Sequence, residues 1–202
     1  AKALVHPWFE KFKIRDKLSE LRPDIIKKLI NNIENYKPQK ILQQATLAYI
    51  VHNLPNIQEI KNACKLFTKI DKNLNGSISF AEFRDGVNEL LDPGEQIEES
   101  KLRAMFSKID ADNTDDIEFE EFARAAADKK VLLQENYVKD AFRFFDKDNS
   151  GSITLEEIAK VFQRSGQSNY EELKSIVQEI DINNDGQVDF KEFNYMMKKI
   201  LQ

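Results

Sequence analysis

Asp146–Glu157 reads DKDNSGSITLEE, and three more strings share its form: Asp71–Glu82, DKNLNGSISFAE; Asp110–Glu121, DADNTDDIEFEE; and Asp181–Glu192, DINNDGQVDFKE. Each opens on Asp, closes on Glu at its twelfth position and carries an aliphatic residue at its eighth: Ile78, Ile117, Ile153 and Val188. Their starts lie 39, 36 and 35 residues apart, a near-even spacing that marks an internal repeat. The flanks repeat too. Apolar residues stand four and one positions ahead of each string (Phe67 and Ile70, Phe106 and Ile109, Phe142 and Phe145, Val177 and Ile180), and another follows it (Phe83, Phe122, Ile158, Phe193). Steps of three and four put these on one helical face. Each unit is therefore predicted as helix, twelve-residue loop, helix. One unit alone cannot bury its apolar face, so the units are expected to pair.

The loops suit a hard cation. Calcium takes about six to eight oxygen ligands at about 2.3–2.6 Å. A short loop supplies them when oxygens recur at alternate positions and a closing carboxylate gives both of its own. A midway turn needs positive φ, which glycine adopts without steric cost. Loop one offers Asp71, Asn73, Asn75, the carbonyl of Ser77, Ser79 through water, and Glu82, with Gly76 at the turn. Loop three offers Asp146, Asp148, Ser150, the carbonyl of Ser152, Thr154 through water, and Glu157, with Gly151. Loop four offers Asp181, Asn183, Asp185, the carbonyl of Gln187, Asp189 through water, and Glu192, with Gly186. The strings match the EF-hand pattern. Three Ca2+ sites are expected.

Loop two departs from the pattern. Asp115 replaces the glycine and Thr114 stands at the fifth position. Its candidate ligands are Asp110, Asp112, Thr114, Asp116 and Glu121, and its crowded carboxylates favour a cation while its turn residue opposes one. A fourth, weak site and an empty structural hand both remain open.

The fold class that follows is all-α: four EF-hands in two calmodulin-like lobes, preceded by amphipathic junction helices. The boundaries are drawn at 57–130 for hands one and two, 131–202 for hands three and four, and 23–56 for the junction helices. The eighth residues, β-branched, suit short strands that join paired loops. The stretch 123–136 is read as helix with a charged break at 128–130.

Composition agrees. The chain has 202 residues, 41% hydrophobic and 32% charged, enough for a core and unlike a disordered or collagenous chain. No run of 18 apolar residues occurs, so no membrane span is expected. Through Asn62 there are 11 Lys/Arg against 6 Asp/Glu; beyond it there are 19 against 29. A basic arm precedes an acidic body, but no Lys/Arg run exceeds two residues, which argues against nucleic acid as a partner. The one cysteine, Cys64, reads as core and fits a reducing, intracellular compartment. The opening residues have neither a signal-peptide pattern nor an initiator Met, so the chain is read as a piece of something longer.

Two further helices are predicted. Residues 23–36, PDIIKKLINNIENY, place Ile25, Ile26, Leu29, Ile30 and Ile33 on one stripe, with Lys27 and Lys28 off it. Residues 38–54, PQKILQQATLAYIVHNL, are apolar nearly all round, the mark of a buried helix. This second helix is taken as a ligand of the open lobes, held through Ile41, Leu42, Tyr49 and Ile50. An extension of the first lobe's core is the alternative. Only three Met but 14 Phe occur, which points to one dedicated partner rather than many.

The string Ala3-Leu4-Val5-His6-Pro7-Trp8-Phe9 resembles the end of a protein-kinase catalytic domain. Followed by a basic amphipathic junction and four EF-hands, the whole chain resembles the calcium-dependent protein kinases of plants and apicomplexan parasites, with 1–22 as the kinase tail. The resemblance implies a cytoplasmic serine/threonine kinase inhibited by its junction helix at low calcium and released when the hands grip that helix. The partners it implies are the chain's own kinase domain and junction helix, with lipid anchoring of an upstream segment left open. Lys27, Lys28, Lys37 and Lys40 are candidate inhibitory residues. The chain lacks the Gly-rich, HRD and DFG strings, so no catalysis is expected of it. The isolated chain is expected to dimerise by swapping helix 38–54. A free-standing calmodulin- or centrin-like sensor and a calcium buffer are the competing readings. An enzyme in its own right is disfavoured, since His6, His52 and Cys64 form no constellation.

Overall fold

The computed structural model describes residues 21–54, 56–163 and 170–202. The Ala3–Phe9 string, and with it nearly all of the proposed kinase tail, lies outside them. The described residues fall into two units. The first holds residues 21–38 and Val51–Asp128, the second Gln39–Ile50 and Lys129–Gln202.

In the first unit, α1 (Pro23–Glu34) begins with Pro23 in its first turn, where the missing N–H has no intrahelical partner to lose. Its stripe Ile26, Leu29, Ile30 and Ile33 is buried against α3 (Gln58–Ile70) and α6 (Phe119–Ala126). Burying such side chains is worth roughly 1.5–3 kcal/mol each, so the stripe holds the helix. Exposed ion pairs add orientation: Lys27 to Asp92 (2.8 Å) and Glu95 (2.9 Å), Lys28 to Asp128 (3.0 Å), and Glu34 to Lys101. The Asn32 amide also donates to the Ala126 carbonyl at 2.8 Å.

Hand one is α3, β1 (Ser77–Ser79) and α4 (Phe80–Leu90); hand two is α5 (Glu99–Ile109), β2 (Asp116–Glu118) and α6. The strands pair antiparallel with Ile78 opposite Ile117. Phe67 meets Phe119 and Phe122 edge-on at 5.6 and 5.5 Å. Phe106 meets Phe80 and Phe83 in the same way. Gly86 is a close-approach glycine: a Cβ there would stand 3.3 Å from the Ile70 Cα. Cys64 is buried core, and burial pushes its thiol up to about 12.

The second unit repeats the plan. Its elements are α7 (Lys129–Leu132), α8 (Glu135–Phe145), β3 (Ser152–Ile153), α9 (Leu155–Gln163), α10 (Tyr170–Ile180), β4 (Val188–Asp189), α11 (Phe190–Lys198) and a 3-10 turn (Lys199–Leu201). Ile153 faces Val188 across the strand pair, and Phe142 meets Phe190 and Phe193 edge-on. The stretch 123–136 breaks earlier than its sequence led us to expect. The α6 helix stops at Ala126, Ala127 is extended, and α7 is one turn long.

The α2 helix covers Ile41–Asn53, shorter at its start than the reading of 38–54. The Lys40 N–H is taken by the Gln43 side chain at 3.0 Å, so the cap falls at Lys40 and Pro38 stays outside. At the other end, Leu54 precedes Pro55, which disfavours helical backbone. Its residues through Ile50 group with the second unit and Val51 onward with the first. Leu42 and Ile50 are buried, while Ile41 and Tyr49 are half-buried. Tyr49 lies on Phe144 at 4.5 Å. Two buried polar residues in this helix escaped the sequence reading. The Gln43 amide donates to the Met196 carbonyl at 2.9 Å, and the Thr46 hydroxyl to the Leu42 carbonyl at 2.7 Å. Lys40 pairs with Glu179. His52, in the last turn, lies 3.7 Å from Glu120.

Candidate metal centres

Each loop begins where its entering helix ends. The N–H groups of Asp71, Asp110, Asp146 and Asp181 donate to carbonyls four residues back, so the first candidate ligand is fixed by the helix. These aspartates are all buried. Their two oxygens accept backbone N–H groups from the fifth and sixth positions. In loop three Ser150 and Gly151 donate to Asp146 at 3.0 Å each. In loop four Asp185 and Gly186 donate to Asp181 at 3.2 and 2.8 Å, and in loop one Asn75 and Gly76 donate to Asp71 at 3.2 and 3.0 Å. The third residue takes a share: Asn73, Asp148 and Asn183 each accept the N–H two residues on. Asn75 and Asp185 likewise accept from Ser77 and Gln187.

The closing glutamates bridge the two ends of each loop. Glu157 accepts from the N–H groups of Lys147 (2.7 Å) and Thr154 (2.9 Å), and Glu192 from Ile182 (2.8 Å) and Asp189 (2.9 Å). Glu82 accepts from Asn73 (3.2 Å) and Ser79 (3.1 Å). The ninth residue, read as a water-borne ligand, has a second role. The Ser79, Thr154 and Asp189 side chains accept the N–H of the closing glutamate and so start the exiting helix, a capping box. Ser152 also donates to Gln187 across the paired loops.

Loop two has the same cage. The N–H groups of Thr114 and Asp115 donate to Asp110 at 3.0 and 3.1 Å. Those of Ala111 and Glu118 donate to Glu121 at 2.8 and 3.1 Å. The Thr114 hydroxyl donates to the Asp116 carbonyl at 3.1 Å, as the Ser150 hydroxyl does to Ser152 at 3.0 Å. Among the described residues, two carboxylate triads have oxygens within 4.8 Å of one another: Asp110, Asp112, Glu121 and Asp146, Asp148, Glu157. Asp115 takes the turn at φ 65°, which a short polar side chain tolerates better than most. Calcium fits these donor sets, which are all oxygen and whose carboxylates converge in loops two and three.

Electrostatics differ between loops. Burial pushes the Asp71 carboxyl above the ordinary range against the N–H bonds from Gly76 and Asn75. Burial does the same to Glu121. At Glu82 burial works in the same direction, but hydrogen bonds from Ser79 and Asn73 outweigh it and hold the carboxyl low.

The fourth position was not singled out in the sequence, yet it is left-handed in every loop: Leu74, Asn113, Asn149 and Asn184 have φ of 55°, 57°, 58° and 60°. The run of three asparagines was the available signal. Leucine there carries a strain of roughly 1–2 kcal/mol that asparagine largely avoids. Leu74→Asn is expected to stabilise the calcium-free protein by about 1 kcal/mol in denaturant unfolding, with no ligand altered.

Residues 60–127 and 135–198 match the EF-hand domain pair family. The chain belongs to the EF-hand family. Its relatives include calcium-dependent protein kinase 4 of Plasmodium falciparum (isolate 3D7), 36% identical over 98% of this chain and 39% of that protein. The protein of the same name from Plasmodium berghei (strain Anka) is 35% identical over the same shares. Calcium-dependent protein kinase 21 of Arabidopsis thaliana is 29% identical over 98% of this chain and 35% of its own length. This EF-hand chain thus spans well under half the length of these kinases. Among the described residues, no helix is long and apolar enough to cross a membrane.

Proposed function

We propose that this chain is the calcium-responsive control region of a cytoplasmic serine/threonine protein kinase. The observation that carries the reading is that four EF-hand loops with one shared oxygen cage follow two helices, α1 and α2, whose apolar residues are buried. The relatives' names supply the kinase. Residues 1–22 would end the catalytic domain, 23–56 would form the junction, and 57–130 and 131–202 the two lobes. The chain itself transfers no phosphate.

Loops one, three and four hold calcium with affinities of about 10⁻⁷–10⁻⁵ M, the range of sensors. Loop two is a fourth and weaker site. A bound calcium ion supplies two positive charges that draw the oxygens of a loop inward. The residues of the loop do the rest. The closing glutamate moves with the exiting helix because the ninth residue caps that helix, so a change in the Glu192 carboxylate is passed to α11. The α11 helix provides the Met196 carbonyl that holds Gln43 of α2. Calcium affects the grip on α2 only as far as the loaded hands bind α2 better than the empty ones.

Glu192→Gln leaves the fold in place but removes one charge from site four. Calorimetry should show that site weakened about tenfold or more, loop three, its strand partner, weakened less, and loops one and two near their starting values. Joined to its catalytic domain, the chain should hold substrate phosphorylation low without calcium and raise it with calcium. Calcium-independent phosphorylation would sink the reading, as would fewer than three ions at saturation.

A further inference from the structure

Arg124 occupies the third position after the closing glutamate of loop two. The matching residues of the other hands are Asp85, Lys160 and Tyr195, all exposed. Arg124 alone of the four is buried, 6% exposed, beside Glu121 at 7%. Both α1 and α3 pack on α6, and the buried Tyr36, two residues beyond α1, lies close enough to feel the charges of Arg124 and Glu121. The Arg124 Nη2 lies 3.9 Å from Glu121 Oε1, the oxygen that also accepts the Ala111 N–H. The carboxylate that must close the loop around a cation therefore has a fixed positive charge beside it, held out of water where screening is weak.

We infer that Arg124 is a positioning residue that sets the affinity of loop two by competing with a divalent cation for Glu121. This rests on the reading of loop two as a calcium site. It would weaken loop two independently of Thr114 and Asp115, whose backbone N–H groups bond Asp110 as those of Ser150 and Gly151 bond Asp146. A cation entering loop two meets both the repulsion of the guanidinium and a carboxylate already partly neutralised. The corresponding residues in loops one, three and four stand in water and exert no such hold.

The test is a calcium titration of the whole chain followed by NMR at the Asp115 amide, whose N–H is bonded to the Asp110 carboxylate. Arg124→Gln, which removes the charge and leaves a shorter side chain with an amide donor, should shift the loop two midpoint to about fivefold lower calcium, the equivalent of about 1 kcal/mol. Arg124→Lys, which keeps the charge, should stay near the unmodified chain. Arg124→Leu serves as a second neutral variant, with thermal unfolding as the check that each protein is folded. A midpoint unchanged or raised in both neutral variants overturns the inference, as does Arg124→Lys moving with them, since packing alone would then explain the shift. An Asp115 amide that no calcium concentration moves in any of the proteins overturns both this inference and the reading of loop two as a site.

Discussion

A chain that begins at Asn56 is expected to bind calcium about tenfold more weakly than the full chain, within the usual 5–150-fold span of such couplings. It should also take up more apolar dye when loaded and should self-associate. Removing α1 exposes the surface that buried Ile26, Leu29, Ile30 and Ile33, and removing α2 exposes that around Leu42, Leu47 and Ile50. Each such side chain represents roughly 1.5–3 kcal/mol of burial. If loaded hands hold these helices better than empty ones, the helices must raise calcium affinity by the same factor. Calorimetry, dye fluorescence and light scattering on the two chains make the comparison. Equal calcium affinity with equal dye uptake would reduce 23–54 to a tether. Exchange of α2 between copies would make the chain of 202 residues a dimer, which light scattering would show.

Phe67→Ala should be the most damaging single substitution in the first unit. The ring is wholly buried and meets Phe119 and Phe122 edge-on. Truncating a buried Phe costs roughly 3–5 kcal/mol. Since the ring seats the last turn of α3, whose carbonyl at position 67 holds the Asp71 N–H, loosening that turn should cost loop one calcium affinity along with stability. Unfolding of the calcium-free variant followed by circular dichroism would show it. A loss below about 1 kcal/mol would mean the surrounding core closes over the gap.

Much of this was legible in the sequence because loop chemistry is local. The one-in-two spacing of oxygens, the glycines at the turn and the closing glutamate are all written within twelve residues. So are Ile78, Ile117, Ile153 and Val188, which meet in the strands as their β-branching implied. What was not legible depends on what packs where. Arg124 carries no local signal, since its counterparts are in solvent; its burial depends on the elements packed on α6, α1 and α3 among them. In the sequence Lys27 and Lys28 only lie off the apolar stripe as candidate inhibitory residues, and nothing local names the Asp92, Glu95 and Asp128 that pair with them. The start of α2 turned on one side chain, Gln43, that outcompeted the generic preference of proline for a first turn. The fourth loop position was legible in principle, and the leucine at 74 concealed the rule that the three asparagines state.

The strand pairs have a consequence for how the chain counts ions. Ile78 and Ile117 share one ladder, and Ile153 and Val188 another, so the two loops of a unit are stitched backbone to backbone at the point where each wraps its site. An ion that tightens one loop is expected to favour the bound form of its strand partner. Filling should then proceed in couples, with a Hill slope above one inside each unit, and a threshold of calcium would be reported more sharply than any lone loop could manage.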